Sequence, residues 1–366
     1  MRVLFLTMEA FGGIGGIAKY NRDLLRALCS APEVEEVVAV PRLMPLAPET
    51  MPPKLTYVTA ALPGRWSYIK AVLKLLTKRL KFNVIGCGHI KLLPIAILAK
   101  FITKAPLVLI IYGIDAWTPP KNIILKYFLS KIDAVISISE RTQQRFIHWS
   151  HVTQKYFILP NAITQRNYGV GAKSGELLDR YGLRDRIVLM TLGRLSAEEK
   201  YKGFDEIMQL LPGLSEKIPS IAYLIVGDGD DRPRLVAKAE ALGVKDRVVF
   251  AGFIPEAEKA DHYRLADVFV MPGRGEGFGF VFLEALACGI PAVGSTLDGS
   301  REALRGGALG ILVDPRRPED IQAGILEALK RPKGVIPEGL EYFSFDNFEK
   351  RCHRILAHVV KSREAG

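Results

Sequence analysis

The chain has 366 residues, of which 49% are apolar and 24% charged, and this composition is typical of a globular protein. Its length is about twice that of a typical domain, so two domains are expected. The longest apolar runs, Leu92–Ala99 and Ala105–Ile111, are much shorter than the ~20 residues that span a bilayer. These features argue against disordered and membrane-spanning proteins and predict a soluble or peripheral one.

The four cysteines are Cys29, Cys87, Cys288 and Cys352, and they lie far apart in the sequence. They form no Cys-x-x-Cys pair and have no spacing to histidines that suits zinc. We therefore expect reduced thiols in a cytoplasmic protein. The start of the chain fits this expectation, because Met1 runs directly into a strand-like segment rather than into a signal peptide.

The net charge of +11 is unevenly distributed. Residues 1–160 hold 21 Lys and Arg against 9 Asp and Glu, whereas the rest of the chain holds 29 against 30. No acidic residue lies between Glu49 and Asp115. A field of one sign attracts anionic lipids, phosphates or nucleic acid, so the first half is expected to meet an anionic partner.

In the first half, short β-rich runs alternate with segments of helical period, a pattern typical of parallel sheets with crossover helices. Helices are predicted at Ala18–Ser30 and Ser67–Lys81. The predicted strands are Arg2–Thr7, Glu36–Val40, Leu55–Val58, Val84–Gly86, Leu107–Tyr112, Ala134–Ser137 and Phe157–Leu159.

A linker is predicted near Pro160–Asn161 and Thr164–Gly175, after which the alternation restarts. The predicted strands are then Ile187–Leu192, Ala222–Val226, Val248–Ala251, Val268–Met271, Ala292–Gly294 and Gly310–Val313. We expect two doubly wound domains, residues 1–163 and 164–345. Ligands should bind at the carboxyl ends of the strands, in the cleft between the domains.

The segment from Glu276 to Glu284 is the most informative motif. Gly277 and Gly279 allow a tight turn, and a helix is predicted from near Gly279 to Gly289. The free N–H groups at its start would suit a diphosphate. A retaining glycosidase pair needs carboxyls ~5–5.5 Å apart, but five helical residues alone rise ~7.5 Å. The two glutamates are therefore interpreted as separate contacts to one elongated ligand.

A second motif follows the strand Ile187–Leu192 and contains Arg194 and Lys202. Two cations at the carboxyl end of a strand can clamp a diphosphate, Arg in bidentate fashion and Lys as a point charge. They would stabilise the negative charge that develops on a leaving group. On its own, the pair could equally be two solvated residues of a loop rich in Glu and Lys.

A glycine-rich loop, Gly12–Gly16, lies between the first strand and the first helix. It lacks the spacing and the acidic residue of a dinucleotide fingerprint. We interpret it as a loop whose backbone approaches a phosphate, without NAD.

Together these motifs resemble the retaining glycosyltransferase family 4, whose members have the two-domain GT-B fold. The family pattern appears in order as Gly15-Gly16, Gly193-Arg194-Leu195, Lys202-Gly203, and Glu276 with Glu284. The resemblance covers about residues 1–330. It implies an α/β fold of two Rossmann-like domains, with the N-terminal domain for the acceptor, the C-terminal domain for the nucleotide sugar, and residues 346–366 returning to the N-terminal domain.

The resemblance also implies residue roles. Arg194 and Lys202 would hold the donor diphosphate, Glu284 the ribose hydroxyls, and Phe253 would lie near the base. Gly15 and Gly16 would lie near the phosphate. Glu276 would face the sugar, together with backbone from Gly277, Phe278, Gly279, Phe280 and Val281. The family needs no metal and no cofactor, and Asp228, Asp230 and Asp231 are interpreted as a turn and a helix start.

Retention would follow from front-side attack with the leaving phosphate assisting deprotonation. The donor would be a UDP- or GDP-linked hexose-type sugar. One departure from the family concerns a histidine that often contacts the sugar, because the sequence reads Tyr112-Gly113-Ile114-Asp115 at that point. Asp115 could take a sugar or acceptor hydroxyl as a catalytic residue, or it could be a turn residue.

The segment Arg65–Lys81 predicts a basic amphipathic helix. Its apolar positions are Trp66, Ile69, Val72, Leu73, Leu76 and Leu80, and its lysines are Lys70, Lys74, Lys78 and Lys81. The helix either packs as an ordinary domain helix or holds the protein on the inner face of an anionic membrane. The second interpretation predicts a lipid-linked or otherwise anionic acceptor, as in envelope polysaccharide synthesis.

Two other classes stay open at this point. One is another GT-B enzyme, an epimerase or a phosphorylase. The other is a non-enzymatic membrane- or nucleic-acid-binding protein, although no nucleic-acid motif accompanies the basic segment.

Overall fold

The structure, a computed structural model, describes residues 1–62, 64–77, 80–121, 123–164 and 167–364. The chain divides into two compact units. The N-terminal unit contains Met1–Ala162 and the C-terminal segment that starts at Phe345, and the C-terminal unit contains Ile163–Ser344.

A seven-stranded parallel sheet forms the centre of the N-terminal unit, with strand order β3-β2-β1-β4-β5-β6-β7. Its central strands are buried on both faces, as expected where helices cover both sides. The strands are β1 (Arg2–Thr7), β2 (Glu36–Pro41), β3 (Leu55–Tyr57), β4 (Val84–Cys87), β5 (Leu107–Ile111), β6 (Ala134–Ser137) and β7 (Lys155–Ile158). The helices between them are α1 (Gly15–Ser30), α2 (Arg65–Thr77), α3 (Leu93–Thr103), α4 (Ile123–Leu129) and α5 (Glu140–Ser150).

The C-terminal unit has a six-stranded parallel sheet of order β10-β9-β8-β11-β12-β13. Its strands are β8 (Ile187–Leu192), β9 (Ile221–Val226), β10 (Val248–Gly252), β11 (Val268–Val270), β12 (Ala292–Ser295) and β13 (Ile311–Val313). Its helices are α6 (Gly175–Tyr181), α7 (Phe204–Lys217), α8 (Arg232–Ala241), α9 (Lys259–Leu265), α10 (Phe280–Ala287), α11 (Ser300–Ala303) and α12 (Pro318–Ala328).

The last helix, α13 (Phe345–Glu364), packs on α1 in the N-terminal unit. The buried Tyr20 ring meets Phe348 edge-on at 5.6 Å, and its hydroxyl donates to the Leu159 carbonyl at 3.0 Å. His353 Nε2 lies 2.8 Å from the Ala27 carbonyl oxygen. The end of the chain is therefore joined to its beginning by both packing and hydrogen bonds.

Each predicted strand is present, and the largest shift is in β7, which starts two residues earlier than predicted. Helix α10 ends at Ala287 with Cys288 as its C-cap, slightly before the predicted stop at Gly289. The four cysteines are free and buried. No helix among the described residues is long and apolar enough to cross a membrane.

The predicted apolar face of α2 is divided between two environments. Val72 and Leu76 of this face join the core, together with Tyr68 and Leu75, which the predicted face did not include. Trp66 is 77% exposed and Leu73 is 37% exposed, so they lie outside that core. The predicted Lys78 falls outside the described residues. The helix therefore serves as an ordinary domain helix and also presents apolar side chains to solvent.

Candidate functional site

The carboxyl ends of the parallel strands in the C-terminal unit share one edge of the sheet, and the predicted donor residues follow these ends. Arg194 comes after β8, Phe253 after β10, and Glu276 after β11. This is the edge at which doubly wound sheets bind ligands. The topology therefore brings together Arg194 and Glu276, which are 82 positions apart in the sequence.

The turn that carries Arg194 and Lys202 is fixed by close backbone contacts. The Gly193 N–H donates to the Val226 carbonyl at 2.9 Å and extends the pairing of β8 with β9. The Lys202 side chain lies close to Gly193: a β-carbon placed on Gly193 would be 3.5 Å from Cδ of Lys202. Gly203 has a φ of +91°, and a β-carbon there would be 2.9 Å from Cδ of Pro272. The lysine is thus held at the carboxyl end of β8.

Glu199 contacts both predicted cations, and the sequence analysis did not single it out. It forms ion pairs with both predicted cations, with Lys202 Nζ at 3.0 Å and with Arg194. Burial works to raise the pKa of Glu199, but the hydrogen bonds from Arg194 and Lys202 hold that pKa below its usual value. The carboxylate positions the two cations together and leaves a net positive charge for a second anion. Glu199 lies three residues before Lys202, and this spacing was the signal in the sequence that could have indicated the ion pair.

The loop before α10 packs directly against this turn. The Arg274 N–H donates to the Tyr201 carbonyl at 2.8 Å, and a β-carbon at Gly275 would be 2.3 Å from the Tyr201 ring. Glu276 follows and is anchored through its backbone. Its N–H donates to Asp298 Oδ2 at 3.0 Å, and its carbonyl accepts from the Gly299 N–H at 2.8 Å.

The Glu276 carboxyl is half-buried and lies near one positive and one negative side chain. Burial raises its pKa, the Lys202 ammonium works to lower it, and the Asp298 carboxylate raises it further, with a net upward shift. Asp298 is 2% exposed and was not predicted from the sequence. Because Asp298 also accepts from the Ser300 hydroxyl at 2.6 Å, it is a fixed support for the Glu276 backbone.

The start of α10 depends on glycine. Gly279 has a φ of +94°, and a β-carbon there would be 2.6 Å from the Phe282 ring and 3.2 Å from Cγ of Glu276. The Gly277 N–H donates to Glu276 Oε1 at 3.1 Å. Phe278 is buried against Phe343, with ring centroids 5.5 Å apart, so it can offer a ligand only its backbone. Phe280 and Val281 are half-buried.

Glu284 lies in the first turns of α10 and is 1% exposed. The Tyr263 hydroxyl donates to its Oε2 at 2.9 Å, and Lys259 Nζ lies 3.7 Å from the same atom. Burial raises the pKa of Tyr263, and the neighbouring Glu284 carboxylate raises it further. Lys259 and Tyr263 are one turn apart on α9, and the sequence analysis did not single them out. The Glu284 carboxylate is therefore oriented by neighbouring polar side chains.

Phe253 follows β10 and is 77% exposed. The strand before it ends in a backbone contact, in which the Gly227 N–H donates to the Gly252 carbonyl at 2.8 Å. A large apolar ring held in solvent at this edge is suited to stacking on a flat aromatic ligand. Nearby, Asp228 and Asp231 form ion pairs with Arg232 at 3.1 Å and with Arg234 at 2.7 Å.

In the N-terminal unit, Gly15 and Gly16 are exposed at the start of α1. Part of the preceding loop already binds carboxylates. The Gly12 N–H donates to Glu49 Oε2 at 2.9 Å, and the Ile14 N–H donates to Glu9 Oε2 at 3.2 Å. The section of this loop that is accessible to a ligand is therefore Gly15 and Gly16.

Asp115 lies on the loop after β5, and its Oδ2 is buried without a hydrogen-bond partner among the described residues. Burial raises the pKa of this carboxyl to about 6, against the lowering effect of nearby backbone N–H groups. Tyr112 points into the unit instead, where it is 5% exposed and its hydroxyl donates to Asn21 Oδ1 at 2.6 Å. Of the two residues at the position of the family histidine, Asp115 therefore has the oxygen available for a ligand.

The described residues contain no group of three or more His, Cys, Asp or Glu side chains that could hold a metal ion. The expectation that the site needs no metal or other cofactor stays a prediction.

Two family models match most of the chain. The one described as "Glycosyltransferase Family 4" matches residues 14–165, and the one described as "Glycosyl transferases group 1" matches residues 178–338. A relative from Mycolicibacterium smegmatis, a GDP-mannose-dependent alpha-(1-6)-phosphatidylinositol monomannoside mannosyltransferase, is 32% identical over 242 residues. This match covers 63% of the chain and 63% of the relative, which is less than two thirds of the relative's length.

Solved structures share the fold across almost the whole chain. Sucrose-phosphate synthase from Thermosynechococcus elongatus has a TM-score of 0.77 at 17% identity and covers 99% of both chains. HepE from Anabaena, solved with UDP and glucose, has a TM-score of 0.73 at 19% identity and covers 97% of this chain and 99% of its own. The predicted fold class is thereby confirmed. With both family models matching in chain order over the two units, the chain belongs to glycosyltransferase family 4 and has the GT-B fold.

Proposed function

We propose that this protein transfers a hexose-type sugar from a UDP- or GDP-linked donor to an acceptor, with retention of the anomeric configuration. The observation that carries the proposal is the joint placement of Arg194, Lys202 and Glu276 at one sheet edge, with Glu199 orienting both cations. Such a site supplies fixed positive charge where a diphosphate leaving group becomes negative.

The proposed donor spans the edge of the C-terminal sheet. Its diphosphate binds Arg194 and Lys202, and its ribose hydroxyls bind the Glu284 carboxylate that Tyr263 orients. Its base lies near the exposed ring of Phe253. Glu276 and the backbone of Gly277–Val281 face the sugar, and Gly15 and Gly16 contribute to phosphate binding. The names of two similar proteins include GDP-mannose and UDP, which supports both nucleotides as candidates.

Retention is proposed to proceed by front-side attack. The leaving phosphate takes the proton of the acceptor hydroxyl while Lys202 and Arg194 stabilise its charge. Glu276 holds the sugar, and Asp115 accepts a hydrogen bond from a sugar or acceptor hydroxyl through its buried Oδ2. No metal takes part in this scheme.

The acceptor is proposed to be lipid-linked or anionic and to be met at an anionic membrane surface. The N-terminal unit supplies the positive field, because no acidic residue lies between Glu49 and Asp115. On α2, the exposed Trp66 and Leu73 lie beside Lys70 and Lys74, as in interfacial helices. The name of the mycobacterial relative includes a glycolipid, phosphatidylinositol monomannoside, which supports this class of acceptor.

A turnover screen tests the proposal. The chain is incubated with UDP- and GDP-linked hexoses in EDTA, with and without anionic lipid acceptors, and release of UDP or GDP is measured. We expect nucleotide release from either UDP-linked or GDP-linked donors, and faster release when an acceptor is present. No release from any donor, with acceptors present, would contradict the proposal. A pyridoxal chromophore or donor epimerisation would instead favour the other GT-B enzymes.

A further inference from the structure

A pocket of about 250 Å³ opens in the N-terminal unit where β5, β6 and β7 begin. Because the strands are parallel, this edge lies opposite the carboxyl edge that carries Gly15 and Asp115. The pocket is therefore separate from Gly15, Gly16 and Asp115, which lie at the other edge of this sheet. Its chemically important lining residues are Lys100, Lys104, Asp133, Lys155, Phe157 and His358.

The pocket has an excess of positive charge. Its one lining carboxylate, Asp133, forms an ion pair with Lys100 at 2.7 Å and accepts from the Leu107 N–H at 2.7 Å. Lys104 Nζ lies 4.3 Å from the centroid of the Phe101 ring. Lys155 Nζ donates to His358 Nε2. Among the described residues no carboxylate forms an ion pair with Lys104 or Lys155, so the pocket has two cations available for an anion.

An exposed apolar stripe lies on α3, the helix that contains Lys100 and has Lys104 as its C-cap. Leu98, Phe101 and Ile102 are 39%, 71% and 47% exposed, and their spacing places them on one face of α3. The opposite face of α3 is also apolar, since Leu93, Ala96 and Ala99 are buried. Apart from Lys100 and Thr103, α3 is therefore apolar on its exposed face as well as on its buried one. A solvated domain helix has a polar outer face, whereas an apolar outer face is typical of burial or of contact with lipid.

The neighbouring helix extends this surface. Tyr127 of α4 is 62% exposed, and Lys131 Nζ lies 5.2 Å from its ring centroid. The Lys131 carbonyl accepts from Lys100 Nζ at 2.8 Å, which connects this aromatic residue to the pocket. Surfaces that bind the membrane interface typically combine cations with exposed aromatic side chains.

We propose that this pocket, named the headgroup pocket, binds the phosphate of an anionic lipid while Phe101 and Ile102 enter the bilayer interface. A volume of about 250 Å³ is sufficient for a phosphate group and several waters, given ~30 Å³ for each water in the liquid. A free phosphate would satisfy Lys104 and Lys155 but would leave the apolar stripe in water. The inference rests on the proposed membrane attachment and adds a contact distinct from α2.

Co-sedimentation of the full chain with phosphatidylglycerol and phosphatidylcholine vesicles tests the pocket. The variant is Lys104→Gln/Lys155→Gln, and the control that removes the same charge from the C-terminal unit is Lys217→Gln/Lys330→Gln. At about 1 kcal/mol for each cation near an anionic surface, phosphatidylglycerol affinity should fall on the order of thirtyfold in the variant. The control variant should lose much less affinity for phosphatidylglycerol vesicles. Phe101→Ser should weaken binding at high salt as well, because its contribution is apolar.

A second arm titrates glycerol phosphate into the wild type and the pocket variant. Weak binding that is lost in the variant, together with the lipid result, supports the proposal. Tight glycerol phosphate binding with unchanged vesicle binding would overturn the lipid source. If Lys70→Gln/Lys74→Gln lowers vesicle affinity and the pocket variant does not, the headgroup pocket is wrong and membrane attachment stands. If the wild type binds no vesicles, both lipid proposals fail, and nucleotide release from donor sugars still tests the transferase separately.

Discussion

The two units contain the same kind of parallel sheet but hold their charges differently. At the donor edge of the C-terminal unit, Arg194 and Lys202 share Glu199, and Lys259 lies beside Glu284. On the N-terminal unit, Lys104 and Lys155 have no described ion-pair partner. Fixed ion pairs suit one small ligand of defined geometry, whereas cations without a carboxylate partner suit a fluid anionic surface. The comparison implies that single substitutions should have large effects at the donor edge and graded effects on the basic surface.

The largest effect is expected for Lys202→Ala. Loss of the ammonium beside Glu276 and Glu199 should reduce turnover by about 2–4 kcal/mol of transition-state stabilisation. Steady-state release of nucleoside diphosphate measures it. The matched control is Lys200→Ala, an exposed lysine two residues away that should keep near-normal turnover. If both variants lost turnover equally, Lys202 would be no more important for the reaction than a solvated loop lysine.

The next effect concerns Asp115, whose buried oxygen has no described partner. Its pKa rises from 3.8 to about 6 in the fold, so the folded state binds more protons than the unfolded state between these values. The free energy of unfolding should therefore contain a contribution that is present below pH 4 and is lost as pH rises through about 6. Asp115→Asn should remove up to about 3 kcal/mol of this pH dependence.

Urea unfolding of wild type and Asp115→Asn at pH 4 and pH 7.5 measures this difference. The variant should also turn over more slowly, because it lacks the carboxylate oxygen. Parallel pH profiles for the two proteins would show that Asp115 is an ordinary turn residue.

The two glutamates of the donor edge should separate binding from turnover. Glu284→Gln should weaken nucleotide binding by roughly 1.5–3 kcal/mol, because a charged hydrogen-bond acceptor for the ribose is lost. Glu276→Gln should depress turnover more than nucleotide affinity. Calorimetric affinity and turnover, measured on both variants, check the division. If each variant loses nucleotide affinity and turnover to the same extent, the assignment of separate roles is wrong.

The smallest effect is expected on α2. Lys70→Gln/Lys74→Gln should weaken binding to phosphatidylglycerol vesicles by about 1–2 kcal/mol at low salt, and the effect should decline as salt screens the charges. Nucleotide release from soluble donor should not change. Unaltered vesicle binding at low salt would leave only the packing role of the helix.

The sequence predicted the strands well because buried parallel strands are short apolar runs bounded by turns, as in β1 and β8. It also placed Lys202 and Glu276 beside tight turns, which glycines mark, while their roles in donor binding stay a prediction. Glu199 could not be identified, because its pairing with Arg194 and Lys202 depends on how the turn folds back. In α2, helical spacing alone could not show that Val72 faces the core while Trp66 faces solvent.

The central claim is that the carboxyl edge of the C-terminal sheet binds the nucleoside diphosphate. Calorimetric titration of UDP and GDP, in EDTA, into wild type and Arg194→Ala/Lys202→Ala tests it most directly. At least one nucleotide should bind the wild type and the Lys200→Ala control. The double variant should bind it about a hundredfold more weakly, since two charged contacts of roughly 1.5 kcal/mol each are lost. Equal affinity in the double variant, or no binding of either nucleotide by the wild type, would contradict it.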